Sequence, residues 1–268
     1  MRRALLAGLV FAACFVALAF LALPIVAIFT HVSPGRLAAQ LANPVVTDAL
    51  VVSLKTTLVA QALILTVGTP AAYVLASRRF RGRSALVTLV ELPLVLPPAV
   101  AGIGLLAAFG RFGLLHTGIP FTQTAVTLAV AFVASPLYMR QAIAAFEEVD
   151  PNLVAASRTL GAGPVKTFFR VVLPLARGGL AAGEALAFAR GLGEFGATIM
   201  FAGSLRGVTQ TLPLAVYAEF DVNFDVALAV SALLVLVSAA LLLTIKLVLQ
   251  WQPSRRTSRS RFALSTSS

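Results

Sequence analysis

Long runs of apolar residues, interrupted by short clusters of Arg, Gly and Pro, dominate this chain. The runs fall at about 4–29, 49–76, 84–109, 123–143, 179–203 and 224–249, and each reaches the roughly 20 residues a helix needs to cross the hydrocarbon core. The pattern predicts an all-α, polytopic membrane protein of about six transmembrane helices. Composition agrees: 59% of the 268 residues are apolar and 12% charged, against about a quarter charged in a soluble domain. Six spans with short connections leave no room for a large soluble catalytic domain. The expected organisation is a first helix and external loop over 1–47, a membrane core over 48–250 with a cytoplasmic loop at 144–178, and a basic tail over 251–268.

Charge orients the spans. The chain holds 21 Lys+Arg against 10 Asp+Glu, a net +11, and in a membrane protein such an excess belongs in cytoplasmic loops. With both termini inside, 16 basic residues are cytoplasmic, Arg2, Arg3, Arg78, Arg79, Arg81, Arg83, Arg140, Arg158, Lys166, Arg170, Arg177, Lys246, Arg255, Arg256, Arg259 and Arg261, while 3, Arg36, Arg111 and Arg206, face out. Lys55 and Arg190 lie within spans. Met1-Arg2-Arg3 and the apolar run behind it resemble a signal peptide, but the run exceeds the usual 7–15 residues or so and reads as a retained span. The tail from Gln252 suits contact with anionic lipid. No basic stripe interleaved with stacking aromatics points to nucleic acid.

Little else in the chain suggests catalysis. Cys14 is the only cysteine and sits in an apolar run, so neither an internal disulfide nor a thiolate cluster is expected. His31 and His116 occupy separate loops without nearby acids, too little for a metal centre. Gly191-Leu192-Gly193-Glu194-Phe195-Gly196 fits a dinucleotide fingerprint by spelling alone, because it lies in a membrane span and not between a strand and a helix. Gly161 to Thr167 is similarly short of a phosphate loop, with Val165 where glycine must precede Lys166. No catalytic residue, metal ligand or cofactor site is expected.

Two spans carry unusual chemistry. In the third, Glu91 is followed by Pro93, Pro97 and Pro98, which repeatedly interrupt the helical ladder; freed backbone groups cannot face lipid. This segment is either a kinked packing helix or part of a pathway wall. The fifth holds Glu184, Arg190 and Glu194, which must point away from lipid. Arg190 and Glu194 are four apart and are expected to pair on one helix face, with Thr198 further along it and Gly193 beside it. That stripe suits a subunit interface or pathway wall, while Phe188, Leu192, Phe195 and Ile199 form an apolar stripe. The pair either locks helices together or grips an anion; the pairing itself favours the former, since a fixed unpaired Arg would hold a dianion too well to release it. Gly179 and Gly183 form a GxxxG spacing for close helix contact.

The loop at 144–178 is more ordered than a connector requires. Asp150 and Pro151 are suited to N-cap and first helical position, and Gly161 to a stop, which predicts a helix of about ten residues. Ala155, Ala156 and Ser157 keep its middle slim, with Leu153 and Leu160 beside it, as befits a helix entering a partner's groove. A second amphipathic stretch, Lys166 to Leu173, is expected to end at Pro174.

These residues carry a resemblance. Ala155-Ala156-Ser157, then Gly161, then Val171-Val172-Leu173-Pro174 is similar to the Glu-Ala-Ala loop of importer permeases in the ATP-binding-cassette superfamily. Here Ala155 replaces the usual acid, Ser157 the usual third Ala and Val171 the usual Ile. With Leu92 to Pro98, Ser135-Pro136-Leu137-Tyr138, Ala187 to Thr198 and Thr209 to Tyr217, the chain resembles the molybdate permease family from about 48 to 250. The resemblance implies a type I importer permease fold in the bacterial inner membrane and a homodimer. It also implies a dimer of separate ATPase subunits that bind ATP and dock on the cytoplasmic loop, and an external oxyanion-binding protein. Glu91, Pro93, Pro97, Pro98, Arg190, Gly193, Glu194 and Thr198 are then pathway or interface candidates; Asp150, Leu153, Ala155, Ala156, Ser157, Leu160, Gly161, Val171, Leu173 and Pro174 are coupling candidates. A sulfate or tungstate permease of the same architecture is the close alternative, and an ion-gradient-driven anion transporter a more distant one.

Overall fold

The computed structural model describes residues 2–31 and 34–250, and the basic tail expected to meet lipid lies outside the described residues. Eleven helices follow in order, with no strand among the described residues: α1 (Arg2–His31), α2 (Pro34–Leu41), α3 (Pro44–Ser77), α4 (Arg83–Val95), α5 (Pro98–Phe109), α6 (Gln123–Glu147), α7 (Pro151–Thr159), α8 (Pro164–Leu192), α9 (Gly196–Ala202), α10 (Leu212–Glu219) and α11 (Phe224–Gln250). Five of these, α1, α3, α6, α8 and α11, are long and apolar enough to cross a bilayer, and α4 with α5 forms a bent pair that passes the same test jointly.

The core is built around α6, whose Ala125, Ala129, Ala134 and Ala142 are completely buried. Small residues let backbones approach, which drives helix association where lipid is as apolar as the side chains. Gly179 and Gly183 of α8 meet α6 as the GxxxG spacing predicts: a Cβ at Gly179 would lie 2.5 Å from Ala145 Cβ, and one at Gly183 2.8 Å from Gln141 Cβ. A second cluster packs Val46 and Ala49 of α3 against Leu212, Ala215, Val226 and Val230.

Prolines explain two irregularities. A proline ring clashes with the carbonyl four residues back and offers no N–H. In α3 the ladder widens to a π turn at Ile64–Gly68 just before Pro70, and in α8 it does so at Phe168–Val172 just before Pro174. One wider turn lets each helix continue past its proline. Pro174 therefore does not end the Lys166–Leu173 stretch as its sequence suggests; that stretch is the first part of the spanning helix.

The third span breaks at Leu96 and Pro97, and α4 and α5 meet at 115°. The residue before a proline is pushed into extended backbone. Leu96 precedes Pro97, Pro97 precedes Pro98, and both are extended, with ψ of 133° and 132°. Pro98 then occupies the first helical position of α5, where its missing N–H costs nothing.

Contacts at the helix ends tell a broken span from a re-entrant loop. Arg83, at the start of α4, pairs with Glu147 at the end of α6 and donates through Nε to the Leu75 carbonyl near the end of α3. At the other end of the molecule, Phe109 of α5 packs on Phe201 of α9 with ring centroids 6.2 Å apart, and the Phe121 N–H, just before α6, donates to the Phe201 carbonyl. The helix α6, roughly 37 Å long at 1.5 Å per residue, separates the two levels. Since α4 begins at one level and α5 ends at the other, the pair is arranged as one interrupted span would be.

The fifth span is also interrupted. The sequence pattern predicts one face carrying Arg190, Glu194 and Thr198, but α8 stops at Leu192, Gly193 is its C-cap, and α9 begins at Gly196. The reason lies in Glu194, whose Oε1 accepts the Ala197 N–H at 2.7 Å. A side chain committed to capping the next helix starts a new ladder in place of extending the old one.

Candidate functional site

The two breaks face each other. A small cavity of about 110 Å³ lies between them, lined by Pro93, Leu94, Leu96, Pro98, Ala101, Val133 and Arg190. Arg190 is the one polar side chain among these residues. The contacts below it are tight: a Cβ on Gly196 would stand 2.6 Å from Pro98 Cβ, and one on Gly102 2.6 Å from the Ala197 carbonyl oxygen. These glycines allow α5 and α9 to touch closely next to Pro98 and Ala101 of the cavity wall.

Arg190 Nη1 pairs with Glu194 Oε2 at 2.7 Å. The expected pair therefore forms across the end of α8, because Glu194 folds back with its N–H on the Gly191 carbonyl. The partners differ in exposure, since the Arg190 side chain is 34% exposed and that of Glu194 1%. Glu194 thus accepts the Ala197 N–H with one oxygen and faces Arg190 with the other, in an ion pair that lacks hydrogen-bond alignment. Arg190 makes no other ion pair and no side-chain hydrogen bond among the described residues, and it lines the cavity.

The remaining pathway candidates divide. Pro93 and Pro98 line the cavity, Pro97 makes the extended corner beside it, and Gly193 ends α8. Thr198 is completely buried in α9, its hydroxyl without a hydrogen-bond partner. Glu91 is outside this group, near Arg140 of α6 at 3.9 Å. Glu184 is half-buried along α8, with one carboxylate oxygen buried and unbonded.

Sequence reading passed over a polar line on α3. Ser53, Thr57 and Gln61 are buried at successive turns. Ser53 Oγ accepts the Leu212 N–H at 2.7 Å, and the Gln61 amide lies beside Gly191, both of its polar atoms buried and unbonded. Their four-residue spacing within an apolar run was the available signal. Tyr138 is also fully buried and shares a 2.5 Å hydrogen bond with Thr69, tying α6 to α3.

The helix between α6 and α8 has the predicted form. Asp150 accepts the Asn152 N–H at 2.8 Å as N-cap of α7, and Gly161 has φ of 81°, the left-handed turn that glycine adopts without strain. Ser157 Oγ bonds Thr167 Oγ1 at 3.1 Å, so the residue that replaces the usual Ala pins α7 to the start of α8. Leu153 and Leu160 are exposed, Leu160 at 88%, and with Ala156, Ser157 and Val171 they line an open groove that also holds Lys166 and Arg170. Ala155 faces the other side, toward a larger cavity of about 790 Å³ with Arg79, Arg83 and Arg158. Leu173 and Pro174 lie further along α8, just past its π turn. Tyr73, Phe146 and Phe168 stack between α3, α6 and α8, their centroids 4.8–6.1 Å apart, and join this device to the membrane core.

A family model described as the binding-protein-dependent transport system inner membrane component matches residues 64–257. The chain belongs to this family. Relatives within reach of it include the molybdenum transport system permease protein ModB of Mycobacterium tuberculosis, 43% identical over 231 residues, 84% of this chain and 88% of that one. ModB of Escherichia coli K12 is 38% identical over 212 residues, 76% of this chain and 92% of that one. Among solved structures, a chain of the inward-facing MetNI methionine ABC transporter superposes with a TM-score of 0.62 at 21% identity, covering 77% of this chain and 95% of its own. A chain of a bacterial ABC transporter that imports the acidic polysaccharide alginate superposes with a TM-score of 0.66 at 14% identity, covering 93% and 96%. At these identities the structural matches show the fold alone, and it agrees with the family's description as an inner membrane component.

Proposed function

We propose that this chain is the permease subunit of an ATP-driven molybdate importer. The observation that carries the reading is the 43% identity to a molybdenum permease across 88% of that protein's length. The chain itself is non-catalytic. Two copies form the anion pathway, a dimer of separate ATPase subunits docks on α7 and the groove beside it, and an external binding protein delivers the oxyanion. Lys55 supports the dimer: it is exposed on the isolated chain two helical turns beyond Asp48, inside a span, where an amine needs cover from protein or a wet cavity. The exposed apolar side chains at Leu153 and Leu160, on a helix capped at both ends, support a docking role. Both termini lie in the cytoplasm, a placement favoured by the 16-to-3 division of basic residues.

The decisive experiment reconstitutes the chain with its ATPase and binding protein in liposomes and compares ATP-dependent uptake of labelled molybdate, tungstate and sulfate. Molybdate is expected to be taken up and to be competed by tungstate more effectively than by sulfate. Uptake of sulfate in preference to both would assign the permease to the sulfate branch of the same architecture.

A further inference from the structure

Arg190 is the one charged side chain in the cavity where the two broken spans meet, and its surroundings set what it can do. Nη1 is occupied by Glu194, while the other guanidinium nitrogens have no partner among the described residues, and the side chain retains a third of its exposure. The other lining residues, Pro93, Leu94, Leu96, Pro98, Ala101 and Val133, have apolar side chains, so Arg190 is the one side chain that can donate to an ion entering the cavity. A guanidinium presents its N–H groups as a flat fork, which matches two oxygens of an oxyanion. At about 110 Å³ the cavity exceeds the ~10–15 Å³ one water requires and has room for a small compact ion. Glu194 cannot swing away to compete for or release the arginine freely, since it is buried and its second oxygen is held by the Ala197 N–H at 2.7 Å.

We propose that Arg190 contacts the oxyanion in transit, presenting its free N–H groups into the cavity between the two helix breaks, and that Glu194 is a positioning residue that aims the guanidinium and weakens its grip. The fixed carboxylate behind the arginine cancels much of its charge at a distance while leaving the short-range hydrogen bonds available. A carrier needs that combination, because a site in a pathway must be favourable enough to enter and weak enough to leave. The proposal rests on the oxyanion-permease reading above.

The test uses the permease in complex with its ATPase subunits, measuring equilibrium binding of labelled molybdate without the binding protein and ATP-dependent uptake with it. Arg190→Gln/Glu194→Gln removes both charges together and strands neither, so the complex is expected to assemble, with uptake at least tenfold below wild type. Glu194→Gln alone should bind molybdate several-fold more tightly yet transport it more slowly, a split that a merely structural role for Glu194 would not produce. Ala101→Val adds bulk at the cavity wall without touching a charge, and should lower uptake comparably in assembled complex, which decides the matter if the charge variants fail to assemble. Wild-type uptake by the double variant, unchanged molybdate binding by Glu194→Gln, or full uptake by Ala101→Val would each overturn the proposal. Failure of the oxyanion reading is separate and shows in the unmodified complex, which would then take up none of the three anions.

Discussion

Individual positions in this membrane core are decided by whether a Cβ fits. Gly102 and Gly104 lie two residues apart on α5, yet they face different neighbours. A Cβ on Gly102 would meet the Ala197 oxygen at 2.6 Å and Met200 Cβ at 2.7 Å, while one on Gly104 would meet nothing within 4 Å. Gly102→Val is therefore expected to force α5 from α9 and destabilise the chain by about 1–3 kcal/mol, the usual cost of overpacking, whereas Gly104→Val should be tolerated by the isolated chain. Thermal unfolding of the two detergent-purified variants checks this, and equal melting temperatures would contradict the packing described. The composition of the segment, rich in Gly and Pro, announces a special backbone; which glycine bears the contact is legible only once α9 is seen to cross there.

Elements differ in how much of their form is written locally. The short helix α7 is almost entirely legible, because its start and stop are set by Asp150, Pro151 and Gly161 through short-range bonds that need no tertiary partner. The break between α4 and α5 is legible for the same reason, since consecutive prolines dictate the extended corner. The interruption after Leu192 is not, because an apolar run containing Glu194 looks like a continuing helix until its carboxylate is found capping Ala197. The start of α8 is likewise hidden: Pro174 reads as a terminator, and only the π turn before it lets the helix pass. Local logic makes a firm prediction for α7. Gly161→Val places a β-branched side chain at φ of 81°, a strain of about 1–2 kcal/mol that would be relieved by tilting α7. The permease should still insert and dimerise, but the ATPase subunit should no longer co-purify with it or couple hydrolysis to uptake. Full ATP-dependent transport by Gly161→Val would remove α7 from the coupling path.

At the scale of the molecule, the arrangement depends on whether α4 and α5 cross the membrane together. If they did not, five spans would remain and the termini would lie on opposite sides. Two independent anchors argue for a crossing: Arg83 pairs with Glu147 at the level where α3 and α6 end, and Phe109 meets Phe201 at the level where α6 begins. Charge leads to the same result from a different direction, since Arg78, Arg79, Arg81 and Arg83 precede the pair while Arg111 alone follows it before α6. A reporter enzyme active only outside the cytoplasm should therefore be silent when fused after Arg81, active when fused after Gly113, and silent again after Ser268. Silence at Gly113 would make the pair re-entrant. That outcome would also invert α6 and carry α7 to the outer face, where no ATPase subunit could reach it, so a single set of fusions tests both the path of the chain and the side on which its driving subunit must dock.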